Sequence, residues 1–254
     1  MSKSRKIIIG ALVVTLTVGG VVWQQLPLHR TAATHPMQYY LALPQGWTPS
    51  KSWPILVVVD GANHGHFLFN CLRFMLARRS LPFIIVAPFV LTNTGHPNPS
   101  EYPYAQAVWD DVAKTGAPRF DEQGVLAIID DVQRSYHGQR KFFITGWSAG
   151  GHLTWLMIFE HPERLAGAVL AGANYAGRGV GVISDAPQRQ QLPIKALQGD
   201  RDPLLAALDE QWARAKQLAD QHGYQNISRD MIAGAGHDPF PSRVFAELAT
   251  LLPP

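Results

Sequence analysis

One cysteine, Cys71, stands in a chain of 254 residues, so no intramolecular disulfide can form, and export would not make this a disulfide-stapled protein. Basic residues are scattered apart from Lys3, Arg5 and Lys6, and the formal charge is only +3. That balance makes no case for a nucleic-acid partner. No internal repeat appears, and no low-complexity linker beyond one short polar stretch near the N-terminus. His64 and His66 form an H-x-H pair, but no cluster of further His, Cys or carboxylate ligands lies near it, so neither a zinc site nor a cofactor is expected.

Long uninterrupted runs of apolar or small residues are also scarce, and the longest is N-terminal. Lys3, Arg5 and Lys6 precede Ile7 to Trp23, which is apolar or small throughout. As a helix, about 17 residues would span roughly 26 Å, slightly short of a hydrocarbon core of about 30 Å. No clear A-x-A cleavage site follows, the nearest small residues being Thr31-Ala32-Ala33, and no cysteine follows that would take a lipid. Residues 1–30 are therefore expected to be an N-terminal hydrophobic helix serving as an uncleaved signal anchor, with a cleaved signal peptide as the alternative. The basic flank would stay cytoplasmic and residues 36–254 would be exported, either held at the membrane or released after cleavage.

The segment richest in chemical content is Gly146-Trp147-Ser148-Ala149-Gly150-Gly151. Lys141 to Gly146 is predicted to be a buried strand and Gly151 to Glu160 the helix that follows it. A G-x-S-x-G turn at such a junction presents the serine on a strained backbone, tolerated where neighbouring side chains are absent. The first helical N–H groups then face the place where negative charge would develop. A nucleophilic serine needs a base and an acid. Downstream, a strand at Leu192 to Gln198 ends in Gly199-Asp200-Arg201-Asp202-Pro203. A last strand at Ile227 to Ile232 is followed by Gly234-Ala235-Gly236-His237-Asp238-Pro239. Both are turns by composition, and they supply an acid and then a histidine in the order serine, acid, histidine.

With these three places in view, the chain from Gln38 onward resembles the α/β-hydrolase superfamily, especially its carboxylesterase-like members. Leu197 to Pro203 is similar to the family's acid loop, in which the aspartate three residues after the glycine, Asp202, is the acid. Asp200 remains a second candidate. Gly234 to His237 resembles its histidine loop. Trp53 to Ala62 resembles the strand carrying the oxyanion turn, with Asp60-Gly61 where many relatives have His-Gly. The resemblance implies Ser148 as nucleophile, His237 as base and Asp202 as its orienting acid, with the backbone N–H groups of Ala62 and Ala149 as the oxyanion hole. Asp238 is expected to shape its turn, and His152 to pack or face solvent.

Strands are predicted near 38–43, 55–60, 83–87, 141–146, 165–171, 193–198 and 227–232. Helices are predicted near 67–79, 121–136, 151–160, 204–222 and 241–252. This alternation implies an α/β fold, the α/β-hydrolase fold, with a mainly parallel sheet covered on both faces and a site beyond the carboxyl ends of its strands. Leu91 to Phe120 has little regularity and is taken as a pocket wall or a plain surface loop. Trp109 within it and Tyr175, on the strand-end segment Asn174–Arg178, are the candidate substrate-binding residues. Trp147 is expected to pack beneath the turn. No segment is long or apolar enough for a large lipase-type lid. The expected activity is hydrolysis of small or medium carboxylic esters. A serine peptidase of the prolyl-oligopeptidase-like type is the runner-up within enzymes, and a non-catalytic, membrane-tethered binding protein is the reading from another class.

Overall fold

The computed structural model describes residues 12–17, 20–62, 66–93 and 97–252. Two strands, β1 (Leu12–Thr17) and β2 (Gly20–Gln25), pair antiparallel from Leu12↔Gln25 to Thr17↔Gly20. This ladder lies where the hydrophobic helix is expected, and that helix is not shown. The run is rich in valine and threonine, which lose rotamer freedom in a helix and suit strands. Among the described residues no helix is long and apolar enough to cross a membrane.

The main sheet has eight strands: β3 (Leu28–Thr31), β4 (Gln38–Ala42), β5 (Ile55–Val59), β6 (Ile84–Pro88), β7 (Phe142–Trp147), β8 (Leu165–Ala171), β9 (Ile194–Gly199) and β10 (Ile227–Ile232). Their spatial order is β10-β9-β8-β7-β5-β6-β4-β3. All neighbours run parallel except β4, which is antiparallel to both β6 and β3. Ile55 to Val59 are buried at every position, as a strand covered on both faces must be. Ile55, Val57 and Val59 face one core, and Leu56 and Val58 the other. Each such side chain withdrawn from water contributes about 1.5–3 kcal/mol.

Helices α1 (Phe67–Arg78) and α6 (Pro241–Ala249) cover the second face through Cys71, Phe74, Met75, Val244, Phe245 and Leu248. Helices α2 (Gln106–Thr115), α3 (Ala117–Tyr136), α4 (Gly151–Glu160) and α5 (Leu205–Gln221) add to the first. Helix α4 is buried from Gly151 to Phe159, so it has no polar face to show.

Two elements differ from expectation. β3 is an edge strand that overlaps the end of the segment assigned to the anchor. His29 on it stacks on Tyr40 and Phe89, with ring centroids 5.0 and 5.5 Å apart. The main sheet therefore takes in residues ahead of position 36, from Leu28 onward. Helix α2 lies within Leu91–Phe120, a segment expected to be irregular, and turns only Val112 fully inward. Tyr102 and Tyr104 fasten the chain before α2, donating their hydroxyls to Val90 O at 3.1 Å and Phe89 O at 2.9 Å.

Candidate active site

The centre of the site is the junction between β7 and α4. Ser148 sits there at φ +51°, a left-handed conformation that costs a non-glycine residue about 1–3 kcal/mol. What makes the turn possible is the absence of side chains on either side. A Cβ on Gly146 would lie 2.3 Å from Thr154 Oγ1 and 2.5 Å from Gly150 O. One on Gly150 would lie 2.5 Å from Asp60 O and 2.7 Å from Val59 O, both backbone atoms that cannot yield. The turn is also tied from outside, Asn174 N–H donating to Ser148 O at 2.8 Å.

Asp202 follows β9 and His237 follows β10, on adjacent parallel strands, which brings the two loops together at one end of the sheet. Asp202 Oδ2 accepts from His237 Nδ1 at 2.6 Å and from Gln198 Nε2 at 2.8 Å, while Oδ1 accepts from Leu204 N–H at 2.8 Å. Burial by itself would raise this carboxyl. The hydrogen bonds from His237, Leu204 and Gln198 outweigh it and hold the group below its ordinary value, ionised at neutral pH. With Nδ1 donating to a carboxylate, the neutral ring of His237 carries its lone pair on Nε2. That Nε2 is buried and has no hydrogen-bond partner among the described residues. Ser148 Oγ donates to Asn174 Oδ1 at 3.5 Å, the outer limit of a hydrogen bond.

Asp200 stands elsewhere. Its Oδ1 accepts from Gly234 N–H at 2.7 Å, and Arg201 N–H donates to Ala235 O at 2.9 Å, so this stretch laces the acid loop to the histidine loop. Asp238 accepts from Phe240 N–H at 2.8 Å and shapes the turn into α6. His152 is buried on α4. Burial, with a contribution from the charge of Arg178, pushes it down to about 4, so it is neutral at pH 7 and a poor base.

The Asp60–Ala62 turn lies against the β7–α4 junction. A Cβ on Gly61 would be 3.3 Å from Ser148 Cβ and 2.9 Å from the Trp147 ring. Gly61 N–H donates to Asp60 Oδ1 at 2.9 Å, and Ala62 follows. Ala149 sits in the 3-10 turn Ser148–Gly150 that opens α4. The half-buried Trp147 ring lies 5.5 Å from that of His237, so it flanks the candidate base as well as packing beneath the turn.

The candidate substrate residues fare differently. Tyr175 is buried, with ring centroids 5.8 Å from Trp155 and 5.9 Å from Phe159. It is a core residue in place of the cleft residue expected, because the chain after β8 turns inward over α4. Trp109 is half-buried on α2, in a cluster with Tyr102 and Tyr104 at 5.8 and 6.1 Å. The described contacts of that ring do not include Ser148, Asp202 or His237.

His64 lies outside the described residues, and His66 is exposed. Glu122, Glu160 and His161 bring metal-type ligand atoms within 4.8 Å of one another. Arg119 already bridges the two carboxylates at 2.5 and 2.7 Å, and His161 Nε2 pairs with Glu122 at 2.6 Å, so a cation there would compete with a guanidinium. Gln198, Asn93 and Asp121 enter the site's surroundings without having been singled out by the sequence pattern, whereas Asn174 lies in the strand-end segment it named. Only Gln198, next to the acid loop's glycine, stood close enough to a motif to be found.

No protein-family model matches the chain, and no curated protein matches it in sequence. Solved structures do match in three dimensions. A fluorophosphonate-binding serine hydrolase of Staphylococcus aureus is 13% identical, with TM-score 0.59, covering 90% of this chain and 98% of its own. Poly(aspartic acid) hydrolase-1 from Sphingomonas sp. KT-1 is 16% identical, with TM-score 0.58, covering 87% and 96%. A thermophilic esterase from the planctomycete Thermogutta terrifontis, with propionate bound, is 14% identical, with TM-score 0.55, covering 89% and 92%. The order of strands, the antiparallel β4 and these likenesses together give one conclusion: this chain has the α/β-hydrolase fold.

Proposed function

We propose that the chain is a serine hydrolase that cleaves carboxylic esters through an acyl-enzyme on Ser148. The observation that carries the reading is the Asp202–His237 pair, whose Nε2 is buried and, among the described residues, unpartnered at the end of the sheet where Ser148 is presented. In the reaction the Ser148 hydroxyl turns from Asn174 toward His237 Nε2, gives up its proton there, and Oγ adds to the ester carbonyl. Asp202 keeps the imidazole in the tautomer able to accept that proton and stabilises the imidazolium. The N–H groups of Ala62 and Ala149 receive the developing oxyanion. His237 then returns the proton to the leaving alcohol, and water attacks the acyl-enzyme with His237 again as base. The esterases and serine hydrolases among the structural neighbours support the reaction class.

A panel of p-nitrophenyl esters with acyl chains of two to twelve carbons, set against peptide anilides, tests the substrate class. Turnover of esters with anilides inert is the expected outcome. Preferential cleavage of the anilides would make the chain a peptidase, and inertness toward both would leave the fold a binding scaffold.

Export and anchorage belong to the same proposal. Three basic residues and then 17 uncharged ones support it. In lipid the run would be helical, since an open two-stranded ladder leaves edge N–H and C=O groups that a bilayer cannot satisfy.

A further inference from the structure

Asn93 is buried, 2% exposed, on the loop after β6. Its Nδ2 donates to Gly61 O at 3.0 Å and, more weakly, reaches Asp60 O at 3.5 Å. The Gly61 carbonyl and the Ala62 N–H belong to one peptide unit, which is planar and trans, the described chain having no cis bond. In such a unit C=O and N–H point in opposite directions. Holding the Gly61 oxygen therefore aims the Ala62 N–H the other way. The preceding unit is fixed as well, its Gly61 N–H being taken by Asp60 Oδ1. The turn thus cannot flip its donor without breaking a buried hydrogen bond.

Asn93 is itself held. Asp121, fully buried on α3, accepts Leu91 N–H at 2.8 and 2.9 Å and Thr92 N–H at 2.6 Å, fixing the two residues before Asn93. Asn93 Oδ1, in contrast, is buried with no partner among the described residues. Leaving such an acceptor unsatisfied costs about 1–3 kcal/mol. An apolar residue would avoid that cost, so the amide is an expensive choice unless its N–H groups are needed.

We propose that Asn93 is a positioning residue that aims the Ala62 N–H into the oxyanion hole, and that Asp121 sets Asn93 in place to do so. The inference rests on the serine hydrolase reading. It differs from a packing role in what it affects: the tetrahedral state and not the bound ester.

The test uses the full chain with Asn93→Ala, the near-isosteric Asn93→Leu, which has about the shape but no donor, and Asp121→Asn, alongside Ser148→Ala. For each folded variant, kcat and KM are measured for p-nitrophenyl butyrate, with Ki for a trifluoromethyl ketone that forms a tetrahedral adduct. Losing one oxyanion donor outright costs about 10²–10³ in rate, so misaiming one should lower kcat by about 10–100-fold. KM should stay within about threefold and Ki should rise in step with the loss of kcat. Asp121→Asn should move both in the same direction by a smaller factor. The near-isosteric variant keeps the test open if the alanine variant does not fold. Wild-type kcat in either folded Asn93 variant, or a fall in kcat with Ki unchanged, would overturn the inference. Retained activity in Ser148→Ala would instead sink the underlying reading.

Discussion

Replacing Asp202 by asparagine changes one atom and creates a conflict that can be worked through bond by bond. Three donors converge on this carboxylate: His237 Nδ1 and Gln198 Nε2 on Oδ2, and Leu204 N–H on Oδ1. An amide has one oxygen and one NH2. If the oxygen stays with Leu204, the NH2 faces Gln198 Nε2 as donor against donor. His237 must then turn its Nδ1 lone pair to the amide and carry its proton on Nε2. If the oxygen faces His237 and Gln198 instead, the NH2 opposes Leu204 N–H. The side chain is fully buried, so the orphaned donor costs about 1–3 kcal/mol of stability in either arrangement. The first arrangement satisfies the imidazole but leaves it unable to accept the serine proton, a fault that costs about 10⁴ in kcat where a triad aspartate is changed this way. Asp200→Asn is the matched control. Its oxygen can keep the single bond from Gly234 N–H, and activity should remain within about threefold. Initial rates on p-nitrophenyl butyrate, with melting curves to show both variants folded, decide the matter. A loss under tenfold in Asp202→Asn, or a larger loss in Asp200→Asn, would refute the reasoning.

Three further outcomes follow from the packing. The Asp121 carboxyl is pushed up by burial, against the backbone N–H groups it accepts, to about 7 from its ordinary 3.8. The native state therefore holds this proton more tightly than the unfolded chain, and stability falls as pH rises from about 4 to 7, by up to about 4 kcal/mol. Relative to wild type, Asp121→Asn should gain in urea midpoint between pH 4.5 and 8, and a constant difference across that range would contradict the argument. Gly150→Ala places a Cβ 2.5 Å from a backbone oxygen and should cost at least about 3 kcal/mol or prevent folding; a melting temperature equal to wild type would show the turn to be looser than described. Removing residues 1–25 should release the protein from the membrane fraction with its activity intact, because β3 begins at Leu28. Cutting at residue 36 instead should destabilise it by removing the sheet's edge strand. Membrane retention of the shorter chain would remove the anchor from the account.

The sequence was most legible where burial imposes a period or a turn demands a residue type. The strand and helix that flank Ser148, and the Gly/Asp/Pro turns after β9 and β10, lie within a residue or two of where they were expected. β3 was not legible, because four residues with one half-buried position carry no alternation, and its pairing with β4 is a tertiary fact. Helix α2 hid between Pro103 and Gly116, in a segment whose Pro, Gly and Asn content reads as loop, and only Val112 in it is fully buried. Tyr175 pointed the wrong way, since a tyrosine just after a strand serves a cleft or a core equally well in sequence. Asn93 and Asp121 had no signature at all. A lone asparagine in a loop acquires meaning only from the carbonyl opposite it.

The central claim is that Ser148 is the nucleophile, and its most direct measurement is covalent. The intact protein is treated with a fluorophosphonate probe, digested, and the modified peptide sequenced by mass spectrometry, with Ser148→Ala as the parallel sample. The account predicts stoichiometric labelling at Ser148 alone, no labelling of the alanine variant, and loss of ester hydrolysis by several orders of magnitude in that variant while its fold is retained. Labelling at a different serine, or an alanine variant that still turns over ester, would contradict it.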